Sequence, residues 1–404
     1  MLYRLEIENF YSVKEPQVVD LRIAENVPDI DNRFRKIHPK SPDRASPVVA
    51  FFGANGSGKS TVLKALSFMR WFVADSFENK PGAPVLCERF NDAESADTPV
   101  RIAIEFAGVT TFGVESPDSA MGFGAWRYEI TLRDKNRRLV VDREVLRQRP
   151  DDKIKWQRVF DRNGSNVKFS AIFKVDRAIE QAASRVRDNT SVIATLGQFE
   201  HQPSLELIHA ARTIYTNILI SKFAFNERGV AEFFAGDAEA LDLLRKEIQR
   251  IDLGILDVRI DIFADGPKLI FSHVGLEQPM LWYLESHGTQ RFIEYFPIII
   301  RALQNGGIAI IDEIDIAIHP LILPEIIGWF LDPERNPRGA SLWMSCHAAS
   351  LLEDLEKEEI YFCEKDMNGR TSVFGLRDIK DVRRDDNRYK KYLSGVYGAV
   401  PHVG

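Results

Sequence analysis

The chain has 404 residues, 45% hydrophobic and 28% charged, with a formal net charge of −6. That length holds two or three domain-sized units around a large core, and the composition excludes a disordered or fibrous chain. The three cysteines, Cys87, Cys346 and Cys363, lie far apart with no C-x-x-C pair. This argues against a disulfide framework or a zinc site and fits a reducing cytoplasm.

The N-terminus, Met1-Leu-Tyr-Arg-Leu-Glu-Ile-Glu8, alternates apolar and charged residues, so it reads as a strand and not as a signal peptide. No stretch approaches the ~20 uncharged apolar residues of a membrane span. Residues 2–7 and 18–23 are expected as two strands flanking a turn at Lys14-Glu15-Pro16, and 24–47, rich in proline and charge, as a surface loop. The apolar run Val48–Phe52 predicts a buried strand. It enters a glycine-rich turn, Gly53, Ala54, Asn55, Gly56, Ser57 and Gly58, followed by Lys59, Ser60 and Thr61, which open a helix over 60–75. Residues 99–149 read as antiparallel strands, with period-two alternation in Val100–Phe106 and Trp126–Leu132 and more loosely in Arg138–Leu146. Asn163-Gly164 marks another tight turn.

From about 175 to 250 the pattern becomes helical, with apolar residues at three- and four-residue spacing in Leu205–Asn217, Val230–Phe234 and Ala238–Ile251. No heptad persists, so no long coiled coil is expected. Ile255–Phe263 and Lys268–His273 read as a hairpin. Glu285-Ser286-His287-Gly288 then leads into a helix over 289–304. A buried strand from Gly307 ends in Asp312 and Glu313, a helix follows over 320–331, and strand Ser341–His347 comes next. Two further strands, 359–364 and 371–376, precede a charged segment and the tail Tyr392–Pro401. Charge is uneven: residues 126–187 hold 17 Lys/Arg against 9 Asp/Glu, so the rest of the chain carries −14. Such a block suits either nucleic acid or a solvated, charge-mixed surface.

Four sites carry chemistry. A strand, a glycine-rich turn and a helix start wrap a phosphate chain, because glycines let backbone N–H groups converge and the helix end adds partial positive charge. There Lys59 would reach the β/γ-phosphates and the Ser60 hydroxyl would ligate Mg²⁺. The strand ending in Asp312 and Glu313 delivers two acids to its carboxyl end, where α/β sheets place ligands. The first would support Mg²⁺ and the second polarise water for in-line attack. Ser286 and Gly288 at a helix start make either a second anion site or an ordinary cap. His347, at the end of its strand, is either a γ-phosphate contact or a structural residue.

The order of these features is that of the ABC-type ATPase head. The chain resembles the SMC/RecF/OLD branch, and more narrowly the stand-alone bacterial AAA15/AAA21 ATP-binding proteins. Asn9-Phe-Tyr-Ser12 resembles the N-F-x-S after their first strand, Gly53–Thr61 their Walker A, and Glu285–Arg291 their E-S-x-G-T-x-R signature. Ile311–Asp315 with Ile318-His-Pro320 resembles the Walker B and D-loop, Ser345-Cys-His347 the switch histidine, and Tyr392–Pro401 the Y-L-x-G-x-Y-G-A-x-P tail. The resemblance covers 1–75 and 280–401 and is weak over 80–280. No Q-loop glutamine stands out before residue 110.

The resemblance implies an α/β fold, an ABC ATPase head (a P-loop NTPase with a mixed sheet) carrying an inserted antiparallel-β and helical middle region. The expected division is 1–80 and 276–404 for the head, 81–175 for the β lobe and 176–275 for the helical lobe. It implies ATP and Mg²⁺ as cofactors, with Gly53, Asn55, Gly56, Ser57, Gly58, Lys59, Ser60 and Thr61 on the nucleotide and Ser60 and Asp312 on the metal. Glu313 would be the catalytic base and His347 the γ-phosphate sensor. Ser286 and Gly288 would act in trans across a head-to-tail homodimer. The function implied is a cytoplasmic regulatory ATPase that gates a separately encoded effector, a toxin or nuclease, in anti-phage defence. A RecF-like repair ATPase with the 126–187 block on DNA, and an ATP-bound scaffold without turnover, are the alternatives. Only about 57 residues follow His347, too few for the fused Toprim nuclease of OLD-type relatives.

Overall fold

The computed structural model describes residues 1–29, 31–110, 112, 122–151, 154–223, 227–251, 254–316 and 318–400. The N-terminal alternation builds β1 (Leu2–Glu8), which buries Leu5 and Ile7 and pairs antiparallel with β2 (Gln17–Asp20). Inside 24–47, expected as surface loop, β3 (Arg35–Lys36) and β4 (Arg44–Ala45) form a short hairpin. Phe34, Ile37 and Ala45 there are buried, so apolar side chains draw part of this segment into the core.

The apolar run forms β5 (Val48–Phe52), buried on both faces, and the helix after the glycine turn is α1 (Lys59–Ala74). The middle region contributes β6 (Val100–Val109), β7 (Phe123–Asp134), β8 (Leu139–Arg149), β9 (Gln157–Asn163) and β10 (Asn166–Phe169). They join the N-terminal hairpin in one antiparallel sheet of order β10-β9-β8-β7-β6-β1-β2. Sequence reading reached the Asn163-Gly164 turn but not the two strands it connects, whose register sets Asn163 opposite Asn166.

Helices α2 (Arg177–Ala183), α3 (Val192–Gly197) and α4 (Gln202–Arg212) follow. The helix expected over 205–217 stops early, and Ile214–Thr216 is a strand, β11. Its apolar spacing fits a helix, but the run Thr213-Ile-Tyr-Thr216 favours extended backbone, and a parallel edge waits for it. Next come α5 (Glu227–Gly236), α6 (Ala238–Ile251), and a small sheet of β12 (Ile255–Phe263), β13 (Gly266–His273) and β14 (Met280–Leu281). The C-terminal part supplies α7 (His287–Asn305), β15 (Ile308–Ile311), α8 (Leu323–Leu331), β16 (Ser341–Ser345), β17 (Ile360–Lys365), β18 (Thr371–Gly375) and α9 (Arg388–Leu393). The tail motif is described as far as Val400, and its Pro401 lies outside the described residues.

The second large sheet has order β11-β15-β16-β5-β17-β18, parallel except for β18. In register, Ile308 faces Ser341 and Leu342 faces Val48, so β15, β16 and β5 release their chains at the same edge. Alternate residues of β5 enter two separate cores. Val49 and Phe51 pack with α1 and the antiparallel sheet, while Val48, Ala50 and Phe52 pack with α5, α7 and α8. A strand covered on both faces has no polar side, which explains its unbroken apolar run. Helix α1 lies between the two sheets and is buried nearly all round, with Phe68, Trp71 and Phe72 in contact. No helix among the described residues is long and apolar enough to cross a membrane.

Several arginines of 126–187 are paired within the chain, Arg127 and Arg138 with acids from outside the block and the others with acids of the block itself. Arg127 pairs with Glu6 and Glu105, Arg133 with Asp142, Arg138 with Asp188 and Arg143 with Asp161. Arg162 is fully buried against Glu144. Glu144 also accepts from Tyr128 Oη at 2.8 Å and from Val192 N, which opens α3. Burial pushes the Glu144 carboxyl above the ordinary carboxylate range, and Arg162 acts in the opposite direction. Removing Glu144 leaves Arg162 buried without a counter-charge, held by the carbonyls of Gly164, Arg187 and Thr190 alone, so Glu144→Ala is expected to lower stability by about 3–5 kcal/mol in urea unfolding.

Candidate nucleotide site

The turn after β5 holds three glycines with positive φ, and two of them admit no side chain. A Cβ on Gly53 (φ 147°) would lie 2.2 Å from Cys363 O, and one on Gly58 (φ 106°) 2.2 Å from Thr371 Oγ1. The loop is therefore pressed against β17 and β18. Thr371 Oγ1 stands 2.9 Å from both Ser57 O and Ser12 Oγ, and Ser12 Oγ stands 3.0 Å from Thr61 Oγ1. From the far end of the chain, Ala399 O accepts from Ala54 N at 3.0 Å. Gly58 caps α1 without a side chain, and no acid sits in its first turn, so the amide end is left for an anion.

Lys59 donates to Gly53 O at 2.8 Å and Ala54 O at 3.0 Å, with His347 Nδ1 3.5 Å away. Burial lowers its pKa from the ordinary lysine value, while Asp312, Glu313 and Asp315 act the other way. Ser60 Oγ reaches Asp312 Oδ1 and Oδ2 at 3.0 and 2.9 Å. Ser345 Oγ donates to Asp312 Oδ1 at 2.6 Å and accepts from Glu313 N at 2.7 Å. Asn217, one residue past β11, fixes the Asp312 backbone from both sides: Nδ2 donates to Asp312 O and Oδ1 accepts from Asp312 N.

Glu313 adopts φ 54°, a left-handed conformation rare for a side-chain-bearing residue. Its Oε1 lies 3.9 Å from His347 Nε2, and Oε2 contacts Lys222 Nζ. Asp315 Oδ2 accepts from His347 N at 2.9 Å and Ala348 N at 2.8 Å, which holds the histidine at the loop's mouth. These groups border a cavity of about 910 Å³. Residues 55–61, Glu313 and His347 line it, together with Tyr11, Ser12, Glu88–Asn91 and Lys365. No glutamine occurs among its described lining residues.

The structure thus gathers the glycine loop, Lys59, Ser60, Thr61, Asp312, Glu313 and His347. It does not bring Ser286 or Gly288 to them. Ser286 caps α7, its Oγ accepting from Thr289 N at 3.1 Å, and lies exposed away from the cavity lining. Sequence reading missed Asn217, Lys222, Thr371 and the 88–91 loop as parts of the site. Each lies far in sequence from the motif it touches, and none forms a pattern of its own. Ser12 and Ser345 stood inside quoted motifs, without an assigned contact.

A family model described as "AAA domain, putative AbiEii toxin, Type IV TA system" matches residues 48–352. The chain belongs to this AAA21 family. Among solved structures, it is similar to an SMC head domain from Thermotoga maritima at 11% identity and TM-score 0.40, covering 93% of this chain and 98% of that one. It is similar at 13% identity and TM-score 0.46 to an SmcHead bound to the C-winged helix domain of ScpA, covering 93% and 97%. An Smc head domain with an extended coiled coil, bound to a ScpA C-terminal domain and derived from Pyrococcus furiosus, is similar at 11% identity and TM-score 0.45, covering 98% and 99%. No curated protein matches the chain.

In this AAA21 protein the Gly58 position tests the packing of the loop. Gly58→Ala must shift both the Thr371 side chain and a backbone that favours glycine. It is expected to cost about 1–3 kcal/mol in chemical denaturation.

Proposed function

We propose that this AAA21 protein is an ATP-hydrolysing regulatory ATPase that closes as a homodimer on Mg²⁺-ATP and controls a separately encoded effector. One observation carries the reading. The Ser60 hydroxyl, from the phosphate loop, and the Asp312 carboxylate, from a strand end 252 residues away, meet within 3.0 Å. A hydroxyl beside a carboxylate is a hard oxygen set that suits Mg²⁺ arriving with a triphosphate.

In this reading the amides of residues 55–61 cradle the phosphates, and Lys59 turns from the Gly53 and Ala54 carbonyls to the β/γ-phosphates. Ser60 and Asp312 hold the metal, which when bound neutralises charge developing on the transferred phosphoryl group. Glu313 accepts the proton of the attacking water. His347, near both Lys59 and Glu313, orients that water on the γ-phosphate. Exposed Ser286 and half-buried Gly288 open α7 beside the exposed apolar side chains Tyr283 and Leu284. That placement suits a surface offered to a second copy's phosphate loop. The family's description as a "putative AbiEii toxin" of a Type IV toxin–antitoxin system supports work within such a two-component system, and control of a separate effector in anti-phage defence is our extension of it.

Lys59→Ala is expected to abolish binding of a fluorescent ATP analogue. Glu313→Gln is expected to lower turnover by about 10²–10⁴-fold while still binding ATP. Light scattering after size exclusion should show this variant as a dimer with Mg²⁺-ATP and as a monomer without it. A monomer under both conditions contradicts the trans site.

A further inference from the structure

Lys222 has no role in the reaction just described, yet its ammonium is the cation that both strand-end acids face. It contacts Glu313 Oε2 and stands 3.8 Å from Asp312 Oδ2, while Ser60 holds Asp312 from the loop side. The segment that carries it, 217–223, is tied at its root to the site. Asn217 grips the Asp312 backbone, and Asn217 O accepts from Phe223 N at 2.8 Å. Just before it, Thr216 Oγ1 lies 2.9 Å from Ser67 Oγ on α1. The tip is looser. The Lys222 side chain is 37% exposed, and Ile220 and Phe223 are exposed as well. On its other side, Leu219 and Phe223 wall a second cavity of about 700 Å³ that reaches Phe233 and Arg301.

We propose that Lys222 and Mg²⁺-nucleotide compete for Asp312 and Glu313, so that nucleotide binding expels Lys222 and frees the 217–223 segment over the second cavity. The inference rests on the nucleotide reading of the loop. A divalent ion on Ser60 and Asp312 would share one carboxylate with an ammonium of like charge. Glu313 Oε2, engaged by that ammonium, is not open to a water molecule until it leaves. Because Asn217 holds both the Asp312 backbone and the root of the segment, only the tip needs to move. The side of the segment that faces the second cavity then changes with nucleotide state.

The test is hydrogen–deuterium exchange of peptides covering 217–223 in the full chain, with calorimetric binding of ATPγS. In the wild type, ATPγS with Mg²⁺ raises exchange in this segment and ATPγS with EDTA does not. Lys222→Met shows the raised exchange without nucleotide and binds Mg²⁺-ATPγS about five-fold more tightly, the scale of one partly exposed ion pair. If wild type fails to bind Mg²⁺-ATPγS, the nucleotide reading falls and the latch with it. If wild type binds but exchange at 217–223 stays flat, the latch alone is overturned. Equal or weaker binding by a folded Lys222→Met protein overturns it too, and assigns the lysine to the phosphates instead.

Discussion

The site depends on one carboxylate. Asp312 accepts from Ser60 on the phosphate loop and from Ser345 on the neighbouring strand, while its backbone is clasped by Asn217 beside the edge strand. Four segments distant in sequence are thereby set within hydrogen-bond reach of one another. The sheet makes this contact: parallel strands β15, β16 and β5 in register end at one edge, and what they carry there meets. A buried charge of this kind is tolerated because two hydroxyls satisfy it, and the same hydroxyls place it where a metal would need it.

Around that edge the fold works as a clamp on α1. The helix opens at the phosphate loop with its amides uncapped and runs back between the two sheets. Its N-terminus is held on one side by Ser12 and Thr371, and by Ala399 through Ala54. The N-terminal hairpin, the last strand of the mixed sheet and the tail all converge on a loop that none of them adjoins in sequence. This gives a physical reason for motifs at both ends of the chain, Asn9–Ser12 and Tyr392–Val400, to accompany a loop at residues 53–61.

Much of this was legible from residue order because the chemistry sits in short contiguous runs. A five-residue apolar strand before Gly53, two acids after Ile311 and a histidine after Cys346 announce strand ends whatever surrounds them. The supporting residues were not legible. Asn217, Lys222 and Thr371 act through contacts spanning roughly a hundred to three hundred positions, which no local pattern encodes. The misread helix over 205–217 shows the same limit from another side. Its apolar spacing was helical, and the β-branched run Thr213–Thr216 was the contrary signal, decisive only once β15 offers an edge. A count of charges over 126–187 likewise does not reveal that Arg127, Arg138 and Arg162 face acids, since those pairs depend on the fold.

In the proposed function the loop is one half of a site that a second copy completes with its α7 start, where Ser286 is exposed. Mixing two defective variants measures this most directly. A Lys59→Ala chain keeps an intact Ser286 surface, and a Ser286→Arg chain keeps an intact loop. Each alone is expected to be inactive. In a mixture, a dimer of one with the other holds one whole site out of two, so ATP turnover should return, to no more than about half of the wild-type value. A mixture as inactive as its components, or a Ser286→Arg chain that hydrolyses ATP normally by itself, would contradict the account.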